Sequence, residues 1–108
     1  MPAKISVIYI NSTNIIRAEI HDRITGDPIN SGSGTITFKS KDGTVLSGGT
    51  FTLSKVPATE GLWQVVVPYT FTATLQENQI YIIALQFTKD VNQLYAEQEV
   101  RAIKLRLA

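Results

Sequence analysis

Apolar and polar residues alternate with a period of two along most of the chain, in short runs separated by turn formers. Lys4 to Ile10 reads as a first strand, with Ile8 and Ile10 on one face and Tyr9 on the other. Asn14 to His21 reads as a second: Ile16, Ala18 and Ile20 point one way, while Arg17, Glu19 and His21 point the other. GTITFKS follows, with Ile36 and Phe38 apolar. Lys41-Asp42-Gly43-Thr44 then signals a hairpin, because Asp-Gly readily takes the positive φ of a tight turn. Val45 and Leu46 lead into Gly48-Gly49 and a further strand, TFTLSKV, with Phe51 and Leu53 inward. GLWQVVVP places Trp63, Val65 and Val67 on one face, and Pro68 ends the ladder by removing an N–H donor. QIYIIALQFT, with Tyr81, Ile83, Leu85 and Phe87, is the most apolar and longest strand expected, so it belongs in the middle of a sheet. Seven or eight short strands predict an all-β antiparallel sandwich.

Residues 90–107 admit two readings. Asp90 and Gln93 could form a capping box for a helix. As a strand, Ile103, Leu105 and Leu107 alternate with Lys104 and Arg106, but Val100 and Ala102 have the other parity. A continuous strand therefore requires a bulge near Ala102. The strand is the preferred reading, because the sandwich needs a last strand.

Composition agrees with the pattern. Ile, Val and Thr together make 33 of 108 residues, and Cβ branching favours pleated sheet over helix. A chain of this length supports a single domain spanning 1–108. Ten basic and nine acidic residues give a net charge of +1, with Lys39, Lys41, Lys55 and Lys89 scattered, so no basic stripe for nucleic acid forms. The absence of cysteine removes disulfides and thiolate metal sites and points to a reducing compartment. MPAKISVIYIN lacks the continuous apolar stretch of a signal peptide, and no run approaches a membrane span. Synthesis and initial residence in the cytoplasm are expected.

Candidate chemistry is sparse. The single histidine, His21, lies beside Asp22, with Asp27 further on. A metal normally needs three or four convergent ligands, so IHDRITGDPI reads as a polar turn in which Asp bonds backbone N–H groups and Pro28 fixes φ. Ser31-Gly32-Ser33-Gly34 resembles a phosphate cradle but leads into a strand without the Gly-Lys-Ser/Thr that such a loop needs. Glu97 and Glu99 would share a strand face, an arrangement that suits a solvated face or an interface better than a glycosidase pair. No catalytic residue, metal or cofactor is therefore expected. Trp63 shares parity with Val65 and Val67 and is expected in the core. Were it exposed, it could serve, with Tyr9, Tyr69 and Tyr95 as further surface aromatics, as a platform for a carbohydrate or cell-surface ligand.

The order of these features resembles a known pattern. His21-Asp22, Thr25-Gly26-Asp27-Pro28-Ile29, the Ile36-Thr37-Phe38 strand, Lys41-Asp42-Gly43-Thr44, Gly61 to Pro68 and Leu75 to Leu85 follow one another as in immunoglobulin-like sandwiches. The likeness spans roughly residues 13 to 88 and is carried by turns and core positions. It is greatest to the small stand-alone immunoglobulin-like proteins of tailed bacteriophage particles: capsid decoration or cement proteins, head–tail connectors, and tail accessories. The resemblance implies a non-enzymatic virion component, made in the host cytoplasm and acting through contacts with other virion proteins and with copies of itself. Sandwich edges offer free backbone groups for pairing. Tyr9 on the first strand and Glu97, Glu99, Arg101, Lys104 and Arg106 in the last segment are the candidate interface residues.

Overall fold

The computed structural model describes residues 6–106. The elements within them run β1 (Ser6–Tyr9), β2 (Asn14–Glu19), β3 (Ser33–Ser40), β4 (Val45–Thr52), β5 (Ser54–Lys55), β6 (Leu62–Val67), α1 (Tyr69–Thr72), β7 (Ile80–Lys89) and β8 (Asn92–Ile103). One sheet has the order β1-β8-β7-β3-β4 and the other β2-β6-β5. This is the all-β sandwich the alternation predicts. Setting β2-β6-β5 against β3-β7-β8 is the immunoglobulin-like arrangement of inner strands.

The predicted inward faces meet between the sheets. Ile8, Ile36, Phe38, Trp63, Val65, Val67, Tyr81, Ile83 and Phe87 are all buried in one cluster. Phe38 and Phe71 lie 5.0 Å apart by ring centroid, and Phe51 and Phe71 5.3 Å. Trp63 meets Phe87 edge-on at 4.9 Å. Such tilted and edge-on contacts suit the ring quadrupoles. β7 is the central strand of the larger sheet, as its apolar run predicts. Gly43, at φ 95, makes the β3–β4 turn, and Asp42 accepts the Thr44 N–H at 3.0 Å.

Several expectations need correction. The larger sheet is not purely antiparallel: β1 runs parallel to β8, with Ser6 opposite Val100 and Tyr9 opposite Ile103. Parallel pairing follows because the chain leaves β1 for the other sheet instead of turning back on itself. Residues 4 and 5 of the expected first strand lie outside the described residues. Gly48-Gly49 does not separate two strands. β4 continues through it, and the pairing with β3 shifts register between Thr37 and Lys39. α1 was not foreseen. Its turn follows Pro68, whose carbonyl accepts the N–H groups of Phe71 and Thr72, and Phe71 anchors it in the core.

Residues 92–103 form a strand, not a helix. At twelve residues it is longer than the ten-residue β7. The expected bulge near Ala102 is absent. Pairing with β7 runs without interruption from Lys89↔Asn92 to Ile80↔Arg101. Val100 and Ala102 are the core-facing residues, so they set the parity. The strand simply ends at Ile103 before the Lys104–Arg106 alternation could matter, and Leu105 is exposed. Leu107 lies outside the described residues.

Candidate interaction surface

The sandwich turns one face of the larger sheet to solvent, and four of the six sequence-selected residues fall there. In β8, Val100 and Ala102 point inward, so Tyr95, Glu97, Glu99 and Arg101 point outward. Arg101 sits opposite Val7 of β1, and Tyr9 lies two residues further along that strand. Glu99 stands across from Ile82 and Glu97 across from Ala84, and Lys39 pairs with Ile82 from the other side. Lys39 reaches across β7: its Nζ lies 3.2 Å from the Tyr95 hydroxyl, 5.8 Å from that ring's centroid and 3.9 Å from the Glu97 carboxylate. The result is a band of Tyr, Val, Ile, Glu, Arg and Lys with exposed Val7 and Tyr95 at its margins. Tyr9 is half-buried rather than fully exposed, because β1 folds back toward β2 there and its N–H is held by Asn14 Oδ1 at 3.0 Å.

Lys104 and Arg106 do not join this face. They follow the end of β8, outside any strand, and Arg106 instead pairs with Glu77 at the turn before β7. Of the residues that complete the face, Tyr95 is a surface aromatic the sequence suggests, while Val7, Lys39 and Ile82 are not singled out by the sequence as contact residues. The signal for Val7 was its shared parity with Tyr9. Lys39 and Ile82 become neighbours only through the β3–β7 register, which no local pattern encodes.

The histidine loop is a turn, as its residues suggest. Asp22 Oδ1 accepts the N–H groups of Ile24 at 2.8 Å and Thr25 at 3.0 Å, and Asp22 N–H bonds the Asp27 carbonyl at 2.8 Å. Those backbone N–H bonds, from Thr25 first and then Ile24, hold the Asp22 carboxyl below its ordinary value. His21 is partly exposed, with Nε2 at 3.7 Å from Glu19. Among the described residues, no group of three or more His, Asp or Glu converges as a metal site would require. Ser31–Gly34 leads directly into β3. Trp63 is 4% exposed, and its Nε1–H donates to the Ile29 carbonyl at 2.8 Å, so it is a core residue and not a platform. Of the surface tyrosines, Tyr69 and Tyr95 are exposed, on different elements.

At one end of the sandwich two apolar side chains stand clear of the protein: Ile24 in the histidine loop is 95% exposed and Val91 in the β7–β8 turn 97%. A cleft at this end is lined by Asp22, Arg23, Ile24, Ile29, Lys89 and Asp90. Among the described residues, no helix is long and apolar enough to cross a membrane. No protein-family model matches the chain, and no curated protein matches it by sequence.

Proposed function

We propose that this chain is a non-enzymatic assembly protein of a bacteriophage particle, a capsid decoration, connector or tail-accessory component that works through protein–protein contacts. The observation that carries the reading is the outward face of β8, β1 and β7, where Tyr9, Val7, Tyr95 and Ile82 alternate with Glu97, Glu99, Arg101 and Lys39. Aromatic and aliphatic groups framed by ions of both signs provide burial and set which partner fits. The phage assignment itself rests on the sequence resemblance over residues 13 to 88. The alternative of a carbohydrate-binding module loses its strongest ring, because Trp63 is interior.

Two experiments test this reading. Sequencing the reading frames that flank this one should find capsid, portal or tail genes; neighbours for glycan degradation or surface display would overturn the virion role. Replacing Tyr9 with Ser and Arg101 with Glu should weaken assembly at least about tenfold, the effect of one interfacial anchor, with the thermal midpoint of folding little changed. Undiminished assembly in that variant would remove this face from the interface.

A further inference from the structure

Among the described residues, β2 is paired on one of its two sides only. Ile20 N–H donates to Gly61 O at 2.8 Å, and the β2–β6 register continues from there through Ala18↔Trp63 and Ile16↔Val65. Antiparallel alternation then points the backbone groups of Asn14, Ile16 and Ala18 toward β6 and those of Ile15, Arg17 and Glu19 away from it. Among the described residues no strand pairs with that outer side. Below the edge, three strands cover only part of five. A cleft of about 420 Å³ opens between β2 and β8, lined by Ile16, Ala18, Ile83, Leu85, Leu94 and Ala96. Ile16, Ala18, Leu85 and Leu94 are only partly buried there.

The shape of this opening selects its occupant. A strand laid along β2 would bond Ile15, Arg17 and Glu19 and press alternate side chains onto Leu94 and Ala96. A whole second sheet does not fit. Pairing β2 with β2 of another copy would bring both larger sheets to the same side, where each projects past β2 by β8 and β1 and the two would collide. The cleft therefore suits a single extended segment, apolar inward and charged outward.

We propose that this segment is Lys104–Leu105–Arg106 of a second copy, added to β2 as a fourth strand of the smaller sheet. In each copy these residues follow the end of β8 outside the sheet, and Leu105 is 69% exposed. One leucine between two cations has the required alternation. The acid beside this edge is Glu19, whereas Glu97 points to the outward face of β8, where Lys39 Nζ lies 3.9 Å from it. Glu19 is 76% exposed in its side chain, while the one arginine there, Arg17, is turned to Gln64 at 3.3 Å. The Arg106–Glu77 pair, itself on the surface, opens when the segment is donated, and such pairs hold weakly. Donor and acceptor lie on different parts of the molecule, so the contact is heterologous and joins copies head to tail. The inference rests on the reading of the chain as an assembly protein but uses a different surface from the outward face of β8.

Sedimentation velocity on the full chain over a range of concentrations tests it. The wild type forms dimers and longer chains as concentration rises. Leu105→Asp removes the donor, and Arg17→Pro removes an edge N–H that β6 does not use; each variant alone is a monomer. Mixed in equal amounts they form a two-chain species and nothing larger, because one retains the cleft and the other the segment. Ala96→Arg, which fills the cleft from β8, replaces Arg17→Pro if that variant does not fold. A wild type that stays monomeric, a Leu105→Asp variant that still associates, or a mixture that stays monomeric each overturns the proposal. A monomeric chain encoded among virion genes overturns this contact and leaves the proposed function standing.

Discussion

The Trp63 indole and the Ile29 carbonyl meet in the core at 2.8 Å, although 34 residues separate them. The bond satisfies the indole N–H in the interior and ties β6 to the segment that enters β3. Trp63→Phe removes the donor and leaves the carbonyl dry. It should destabilise folding by about 1–3 kcal/mol, with an added cost for the space the smaller ring leaves. Urea unfolding measures this. Trp63 fluorescence should also be blue-shifted and insensitive to added glycans.

Thr72 makes a second long-range tie. It is fully buried, and its hydroxyl donates to Ser12 O at 2.8 Å while accepting the Ser12 N–H at 3.2 Å. The short helix is thereby fastened to the β1–β2 turn. Thr72→Val preserves shape but strips both bonds, and should cost about 1–3 kcal/mol. The exposed Thr74 bonds only within its own turn, and Thr74→Val should stay within about 0.5 kcal/mol of wild type. Equal effects in denaturant would refute the assigned tie.

Two glycines should fail for different reasons. A Cβ on Gly34 would lie 2.6 Å from Phe87 Cδ2 and 2.9 Å from Gln86 O, so Gly34→Ala should cost about 1–3 kcal/mol through overpacking. A Cβ on Gly43 meets nothing within 4 Å, but its φ is 95°, and Gly43→Ala should cost roughly 1–2 kcal/mol in backbone strain. Asparagine separates the causes. It tolerates positive φ and should recover much of the loss at 43, while at 34 it should be worse than alanine.

Acid should loosen the two Asp-built turns. Asp22 is lowered below 3.8 mainly by the Thr25 and Ile24 N–H groups, and Asp42 mainly by the Ser40 hydroxyl and Thr44 N–H. A carboxyl depressed in the fold contributes stability that is present above its unfolded value and is lost as pH falls through the folded one. The thermal midpoint should therefore drop between about pH 4 and pH 2, and Asp22→Asn with Asp42→Asn should flatten that part of the drop. A midpoint that rises across this window would contradict the assignment.

The inward faces of β2, β3, β6 and β7 were legible because each strand alternates cleanly and each alternation has a buried partner. The C-terminal strand was harder. Leu105 and Leu107 gave the apolar count to the wrong parity, whereas Val100 and Ala102, smaller and fewer, are the pair that lies in the core, flanked in the sheet by Ser6 and Ile8 of β1. Local pattern weighs residues by hydrophobicity, but only pairing decides which are enclosed. The α1 turn was hidden for a related reason. Tyr69-Thr70-Phe71-Thr72 is poor helix sequence, and the turn forms because Phe71 has a pocket to fill. Of the outward face, the charges of β8 could be read along one strand. Lys39 and Ile82 reach it only through the sheet order.

The parallel pairing of β1 with β8 has a mechanical consequence. A load entering at Ser6 and leaving at Ile103 pulls the two strands past each other along their length. Every backbone bond between Ser6–Tyr9 and Val100–Ile103 then carries tension at once, where a hairpin pulled at its open end would unzip bond by bond. The sheet edge formed by β1 is thereby loaded in shear when the chain is stretched from its two ends.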